Sequence, residues 1–213
     1  MLRQPFRNIS KNQLPGLLLV CCVLVYGCKI TSVRKPPADK PFLFKNSITL
    51  NGGKFTKDER TTVKQRLNSQ LDDSSKIRVK EKFLFLRYIV NPPVYDTAAS
   101  ARSARNMETS MLHIGYYKSK AAFTDDTNKV GRQRRVDVKY TVEAGKPTLI
   151  DTVQYIMRKP DLQELALQNK NKTLLVEGNP VTKAAVLGEI GRMVDVYRNN
   201  GYYKFTSEEL RVR

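Results

Sequence analysis

The sequence predicts an α+β protein made of two copies of one strand-helix-helix-strand-strand unit, the second without its last strand. Two observations carry this. Gly115-Tyr116-Tyr117-Lys118 recurs as Gly201-Tyr202-Tyr203-Lys204, 86 residues later (201 − 115), and a methionine, Met107 or Met193, stands eight residues before each glycine. At each glycine the hydrophobic period then switches from helical to alternating, the signature of a helix handing over to a strand.

The elements follow in order. Residues 42–50 read as a strand ended by Asn51-Gly52-Gly53. Thr56-Lys57-Asp58-Glu59 is a capping box, so a helix should run over 57–71 with Val63, Leu67 and Leu71 on one face. Residues 77–90, with Phe83, Phe85 and Leu86, fit a buried helix or a strand, and periodicity does not decide between them. Pro92-Pro93 ends that element, and Asp96 is the N-cap of a second helix with Ala101, Ala104, Met107, Met111 and Leu112 as its stripe. Gly115 sits where a helix ends in a left-handed residue. Residues 116–124 read as a strand, turning over 125–132. Val136, Val138, Tyr140 and Val142 then alternate with Asp137, Lys139, Thr141 and Glu143 as a half-buried strand. Residues 143–147 break the chain. The second unit repeats the series: a strand over 149–157, a helix from 161–168, and a helix over 182–200 capped by Thr182. That helix has Leu187, Ile190, Val194 and Tyr197 as its stripe, and a strand starts at Tyr202. No third strand follows within these residues.

Ahead of the repeat, Arg3, Arg7 and Lys11 precede an unbroken apolar run over 17–26. A bilayer span needs about 20 apolar residues; the shorter run fits the apolar region of a secretory signal. Gly27-Cys28 resembles the lipobox of bacterial lipoproteins. That resemblance implies cleavage between Gly27 and Cys28 and acyl chains, palmitate among them, on Cys28. Residues 1–27 are then the signal and 28–41 a polar tether holding Pro36-Pro37. Two folded units follow, over 42–146 and 147–213. Cys21 and Cys22 leave with the signal, so the mature chain has no disulfide and no thiolate metal site.

The chain carries 38 Lys+Arg against 20 Asp+Glu, a net charge of +18. Such a balance first suggests nucleic acid. Export excludes that partner and leaves anionic envelope lipid, phospholipid or lipopolysaccharide. The charges are scattered, as general solubility would have them; the densest cluster, Arg132-Gln133-Arg134-Arg135, is a candidate anion site. Catalytic chemistry is sparse. His113 is the one histidine and lies near a helix C-terminus, where a cation is favoured by the dipole. No Gly-x-Ser-x-Gly, phosphate loop or metal-ligand spacing occurs. Asp125-Asp126 and Glu208-Glu209 read as solvated pairs. The expectation is no enzyme, no cofactor and no metal.

At this point the sequence resembles a pair of POTRA domains, the β-α-α-β-β modules that precede the barrel of BamA/TamA-type outer-membrane assembly factors. The resemblance is carried by Gly115-Tyr116-Tyr117 and Gly201-Tyr202-Tyr203, by the strand-turn-strand over 136–155 with Glu143-Ala144-Gly145, and by Asn91-Pro92-Pro93-Val94-Tyr95-Asp96. With the lipobox, the nearest likeness is the lipoprotein form of the translocation and assembly module subunit (TamL). The family's C-terminal barrel has no counterpart here, since no series of alternating ten-residue strands occurs in these residues. The resemblance implies a periplasm-facing scaffold anchored in the bacterial outer membrane through acylated Cys28. Its implied partners are client outer-membrane proteins and a TamB-like subunit. It also implies binding by strand addition to an exposed sheet edge. The edges expected are Tyr116, Tyr117, Lys118, Ser119, Lys120 and Ala121 in the first unit, and Tyr202 and Tyr203 in the second. The alternative is a stand-alone envelope lipoprotein with enzymatic or lipid-handling activity; it would need a polar constellation that the sequence does not show, and a closed apolar pocket able to hold an acyl chain would support it.

Overall fold

The computed structural model describes residues 30–82 and 86–212. In chain order these form β1 (Ile30–Arg34), β2 (Phe42–Asn51), α1 (Lys57–Ser69), β3 (Val79–Lys82), β4 (Leu86–Val90) and α2 (Thr97–Leu112). Then come β5 (Lys120–Val130), β6 (Gln133–Glu143), α3 (Pro160–Gln168) and α4 (Lys183–Asn199). The result is a mixed α+β protein with two three-stranded mixed sheets among the described residues.

The alternation in β6 sets the first core. Val136, Val138, Tyr140 and Val142 all point to one face and are at most 1% exposed. Burying each such side chain contributes about 1.5–3 kcal/mol. β6 is the central strand of the order β2-β6-β5, parallel to β2 and antiparallel to β5. A bulge at Phe44 separates Leu43, opposite Val136, from Lys45, opposite Asp137. Helices α1 and α2 cover the apolar face with Val63, Leu67, Ala104, Met107 and Met111.

The capping box forms as expected. Glu59 N–H donates to Thr56 Oγ1 at 3.3 Å and Thr56 N–H donates to Glu59 Oε2 at 2.8 Å. In α2, Ala98 N–H donates to the Asp96 side chain at 2.9 Å. The face α2 buries is rotated from the expected stripe. Ser100, Ser103 and Ser110 are buried beside Ala99, Ala104, Met107 and Met111, whereas Leu112 is exposed. Two of these serines find partners, which lets them sit inside. Ser103 Oγ donates to Ala99 O and accepts the Asp72 N–H, each at 2.9 Å, and Ser110 Oγ accepts from Arg66 Nε at 2.9 Å.

Along the first unit one open reading is decided and one expectation corrected. Of the stretch over 77–90, the described residues give the strand reading, with β3 antiparallel to β4. Residues 30–34, expected in the tether, are β1, which pairs in parallel with β4 so that Ile30 lies opposite Leu86 and Arg34 opposite Val90. A pair of strands inserted between α1 and α2 offers a free edge, and a polar segment without apolar period can still satisfy its backbone there. The signal, with Gly27 and Cys28, lies outside the described residues, as do Phe83 and Phe85. No helix among the described residues is long and apolar enough to cross a membrane.

The second unit has its own core, formed by Leu162, Ala166, Met193, Val194, Tyr197 and Phe205. Its helices match the first unit, and Gly115 and Gly201 both have positive φ, +93° and +95°. Its expected strands do not form. Residues 149–157 make only an isolated bridge, Leu149 to Pro180, and residues 202–212 hold a turn and a short 3-10 helix, Ser207–Glu209, but no strand. A strand needs a partner for its backbone, and none of the described residues supplies one. The units meet at a joint of main-chain bonds. Thr148 N–H donates to Gly115 O at 2.8 Å, Val181 N–H to Thr148 O at 2.9 Å and Lys183 N–H to His113 O at 3.0 Å.

Candidate strand-binding edge

β5 is the edge of the β2-β6-β5 sheet. It is joined to β6 by Gly131-Arg132, with positive φ at Gly131 (+58°) and not at Arg132. That is the pattern of a type II′ hairpin, in which the flanking pair Val130 and Gln133 is hydrogen-bonded. Alternation then points the backbone groups of Val130, Asn128, Asp126, Thr124, Ala122 and Lys120 toward β6. Those of Ala121, Phe123, Asp125, Thr127 and Lys129 point away. An independent contact fixes the same phase: Ala121 N–H donates to Glu108 Oε1 of α2 at 2.8 Å rather than to β6.

The open edge is therefore shorter than the sequence suggests, and displaced. Tyr116, Tyr117, Lys118 and Ser119 are not on it; they form the turn between Gly115 and β5. Tyr116 is buried against Phe55 with ring centroids 4.8 Å apart, Ser119 is buried, and Tyr117 is exposed. Lys120 and Ala121 do lie in β5, but Glu108 already occupies the outward donor of Ala121. In the second unit Tyr202 packs edge-on to Tyr197, Tyr203 is 80% exposed, and no strand follows either. What remains open runs from Phe123 to Lys129. The side chains beyond Phe123 are exposed and include Asp125, Asp126 and Lys129, charges that keep a bare edge from pairing at random.

The other candidates are engaged locally. Arg134 donates to Asp39 O, and Arg135 lies over the Phe44 ring at 4.6 Å while bonding Gln133. Two of the three arginines are thus used within the fold. Asp126 lies directly across from Asp137, and no group of three His, Cys, Asp or Glu among the described residues could hold a metal. Glu209 closes a capping box with Thr206. A shallow depression of ≈ 390 Å³ on the solvent face of the sheet is lined by Lys45, Ser47, Asp125, Asp126, Asp137 and Lys139.

A buried charge network escaped the sequence reading. Glu189 of α4, only 4% exposed, accepts from Arg192 at 2.5 and 3.1 Å, from Tyr155 OH at 2.6 Å and from Leu174 N–H at 2.8 Å. Burial pushes its carboxyl up, but Arg192, the Leu174 N–H and Tyr155 outweigh that and hold it below the ordinary 4.5. The network pins residues around Tyr155 and Leu174 to α4. Its only trace in the sequence is a Glu and an Arg three apart within an apolar helix. Compared with known protein families and with curated proteins, the chain matches none.

Proposed function

We propose that this chain is the scaffold region of a lipid-anchored outer-membrane assembly factor, built of POTRA-like units, that holds extended client or partner segments by strand addition. The observation that carries the reading is the open edge of β5 from Phe123 to Lys129. Its outward N–H and C=O groups at Phe123, Asp125, Thr127 and Lys129 have no partner among the described residues. Main-chain pairing there would give affinity with little sequence preference, which suits many clients. The β-α-α-β-β order of residues 42–143, interrupted by β3 and β4, supports the POTRA-like assignment. Acylation at Cys28, the periplasmic location and a TamB-like partner belong to the same proposal and rest on the N-terminal sequence and the resemblance.

Thr127→Pro tests it. The Thr127 N–H points outward and unpaired, so proline removes only the donor a client would use. The variant should keep its circular dichroism and lose photocrosslinking of an outer-membrane strand peptide to the β5 edge. Undiminished crosslinking in the folded variant would refute strand addition at β5.

A further inference from the structure

The polar stretch after Cys28 is too short to be a loose tether. With folded structure starting at Phe42, 14 residues (42 − 28) would let the first unit stand up to about 45–50 Å from an acylated Cys28. Folded structure starts instead at Ile30, the first residue of β1, two residues on (30 − 28), a reach of about 7 Å. That is the depth of one headgroup layer, roughly 5–8 Å. All five residues of β1 pair with β4, and β4 pairs with β3, so the start of β1 carries the small sheet with it. Acylation at Cys28 therefore holds this sheet at the bilayer surface.

The register sorts the side chains of the small sheet into two faces. Thr31, Val33, Val79, Glu81, Arg87 and Ile89 share one of them. Ile89 is only 2% exposed there, so this face turns toward the protein. Its carboxylate, Glu81, is bound to Arg87 at 2.6 Å. Ser32, Arg34, Lys80, Tyr88 and Val90 make the other face. Arg78, whose carbonyl accepts the Val90 N–H at 3.3 Å, continues it. Arg34, Arg78 and Lys80 are exposed, and no acid stands among these six residues. The Arg34 guanidinium lies over the Tyr88 ring, 4.3 Å from its centre. Each of the two has an apolar body and a polar tip, which suits the boundary between headgroups and acyl chains.

We infer that this face, with Arg34, Arg78, Lys80 and Tyr88, is a docking surface for the anionic lipid headgroups of the bilayer that holds the Cys28 acyl chains. Two independent observations point to that occupant: the short reach from the anchor, and a face of one charge sign. Each basic residue close to an anionic surface is worth roughly fivefold in partitioning. A reach of about 7 Å keeps the face within the screening length of about 8 Å at physiological salt. Docking would hold the first unit in one orientation on the membrane. The inference rests on the acylation of Cys28 proposed above and is independent of strand addition at β5.

The chain has no tryptophan, so Tyr88→Trp and Tyr203→Trp each supply a single reporter, and at position 88 the indole keeps a ring under Arg34. The acylated protein is purified from the envelope of the expressing bacteria. It is reconstituted in vesicles of phosphatidylcholine alone or of equal parts phosphatidylcholine and phosphatidylglycerol, with a nitroxide-headgroup lipid as quencher. Tyr88→Trp fluorescence should be quenched in the anionic vesicles. The quenching should fall at least by half in phosphatidylcholine alone, in high salt, and when Arg34→Glu, Arg78→Glu and Lys80→Glu are combined. Tyr203→Trp should not respond to phosphatidylglycerol. The lipid and salt comparisons need no charge variant, so a misfolded charge-reversed protein does not decide the matter. Acylated Cys28 with no quenching of Tyr88→Trp, or with quenching indifferent to charge, would overturn the inference and leave the anchor standing. Equal, charge-dependent quenching of Tyr203→Trp would overturn it in favour of a general attraction of the basic chain. Mass spectrometry showing unmodified Cys28 in the envelope protein would remove the anchor and the inference with it.

Discussion

Replacing Gly115 by alanine should cost clearly more than replacing Gly201, although the two glycines end equivalent helices at nearly the same φ, +93° and +95°. A Cβ at positive φ costs roughly 1–2 kcal/mol. Loss of unfolded-chain freedom returns about 0.4–1 kcal/mol. At Gly201 an added Cβ meets nothing within 4 Å, so the net loss there is about 1 kcal/mol. At Gly115 the same Cβ would lie 2.9 Å from Pro180 Cβ and 3.3 Å from Val181 O. Neither is the flexible end of a side chain, and both belong to the joint between the units. Overpacking of this kind adds about 1–3 kcal/mol, for a total near 2–4 kcal/mol. Urea unfolding followed by circular dichroism measures the difference. In thermal melts each kcal/mol corresponds to about 2–4 °C in a chain of this size. Equal losses at the two positions, or a larger one at Gly201, would refute the close packing of the joint.

Other expectations concern the buried network and titration. Glu189→Ala leaves the Arg192 charge buried beside Tyr155 and should cost about 3–5 kcal/mol, while the double change Glu189→Leu with Arg192→Met should recover part of that loss and still cost about 1–3 kcal/mol, since the Leu174 N–H keeps no acceptor; urea midpoints compare them. The Glu189 carboxyl is depressed in the folded state, so its stabilisation is present above about 4.5 and lost as pH falls through the folded value. Urea midpoints should therefore drop in acid, and Glu189→Gln should flatten that drop. Burial, with the nearby Tyr155, pushes the Tyr197 phenol up to about 12 from 10.0. Its stabilisation is present below 10.0 and lost as pH rises through about 12, so its phenolate should appear in ultraviolet titration only near the upper value.

Much of the local structure was legible in the sequence because it rests on local physics. Thr56, Asp96 and Thr182 cap the helices they were expected to cap, and Val136 to Val142 alternate in burial as they do in sequence. What escaped depends on contacts distant in the chain. Residues 30–34 become a strand only because β4 is there to pair with them. Residues 149–157 have strand-like composition but pair only at their start, where Leu149 bridges Pro180 and Ile150 bonds Asn179 and Gly178. On α2, Ala104, Met107 and Met111 are buried as the stripe has them, but Leu112 is exposed, and serines complete the buried face, Ser103 and Ser110 with their hydroxyls bonded. Of the expected strand-addition residues, Lys120 and Ala121 do fall on β5. The free part lies further on, since the Glu108 carboxylate closes the edge at Ala121. Nothing in the sequence marks that reach from α2 to the sheet.

The central claim is that β5 presents a bare edge from Phe123 to Lys129 for an incoming strand. Residue-resolved amide hydrogen exchange along β5 tests it most directly. The amides of Phe123, Asp125, Thr127 and Lys129 should exchange freely, while those of Ala122, Thr124, Asp126 and Asn128, bonded to β6, should be protected. Adding a strand peptide from an outer-membrane protein should protect the first set and leave the second as it was. Uniform protection along β5 without peptide, or no added protection at the outward amides with it, would contradict the account.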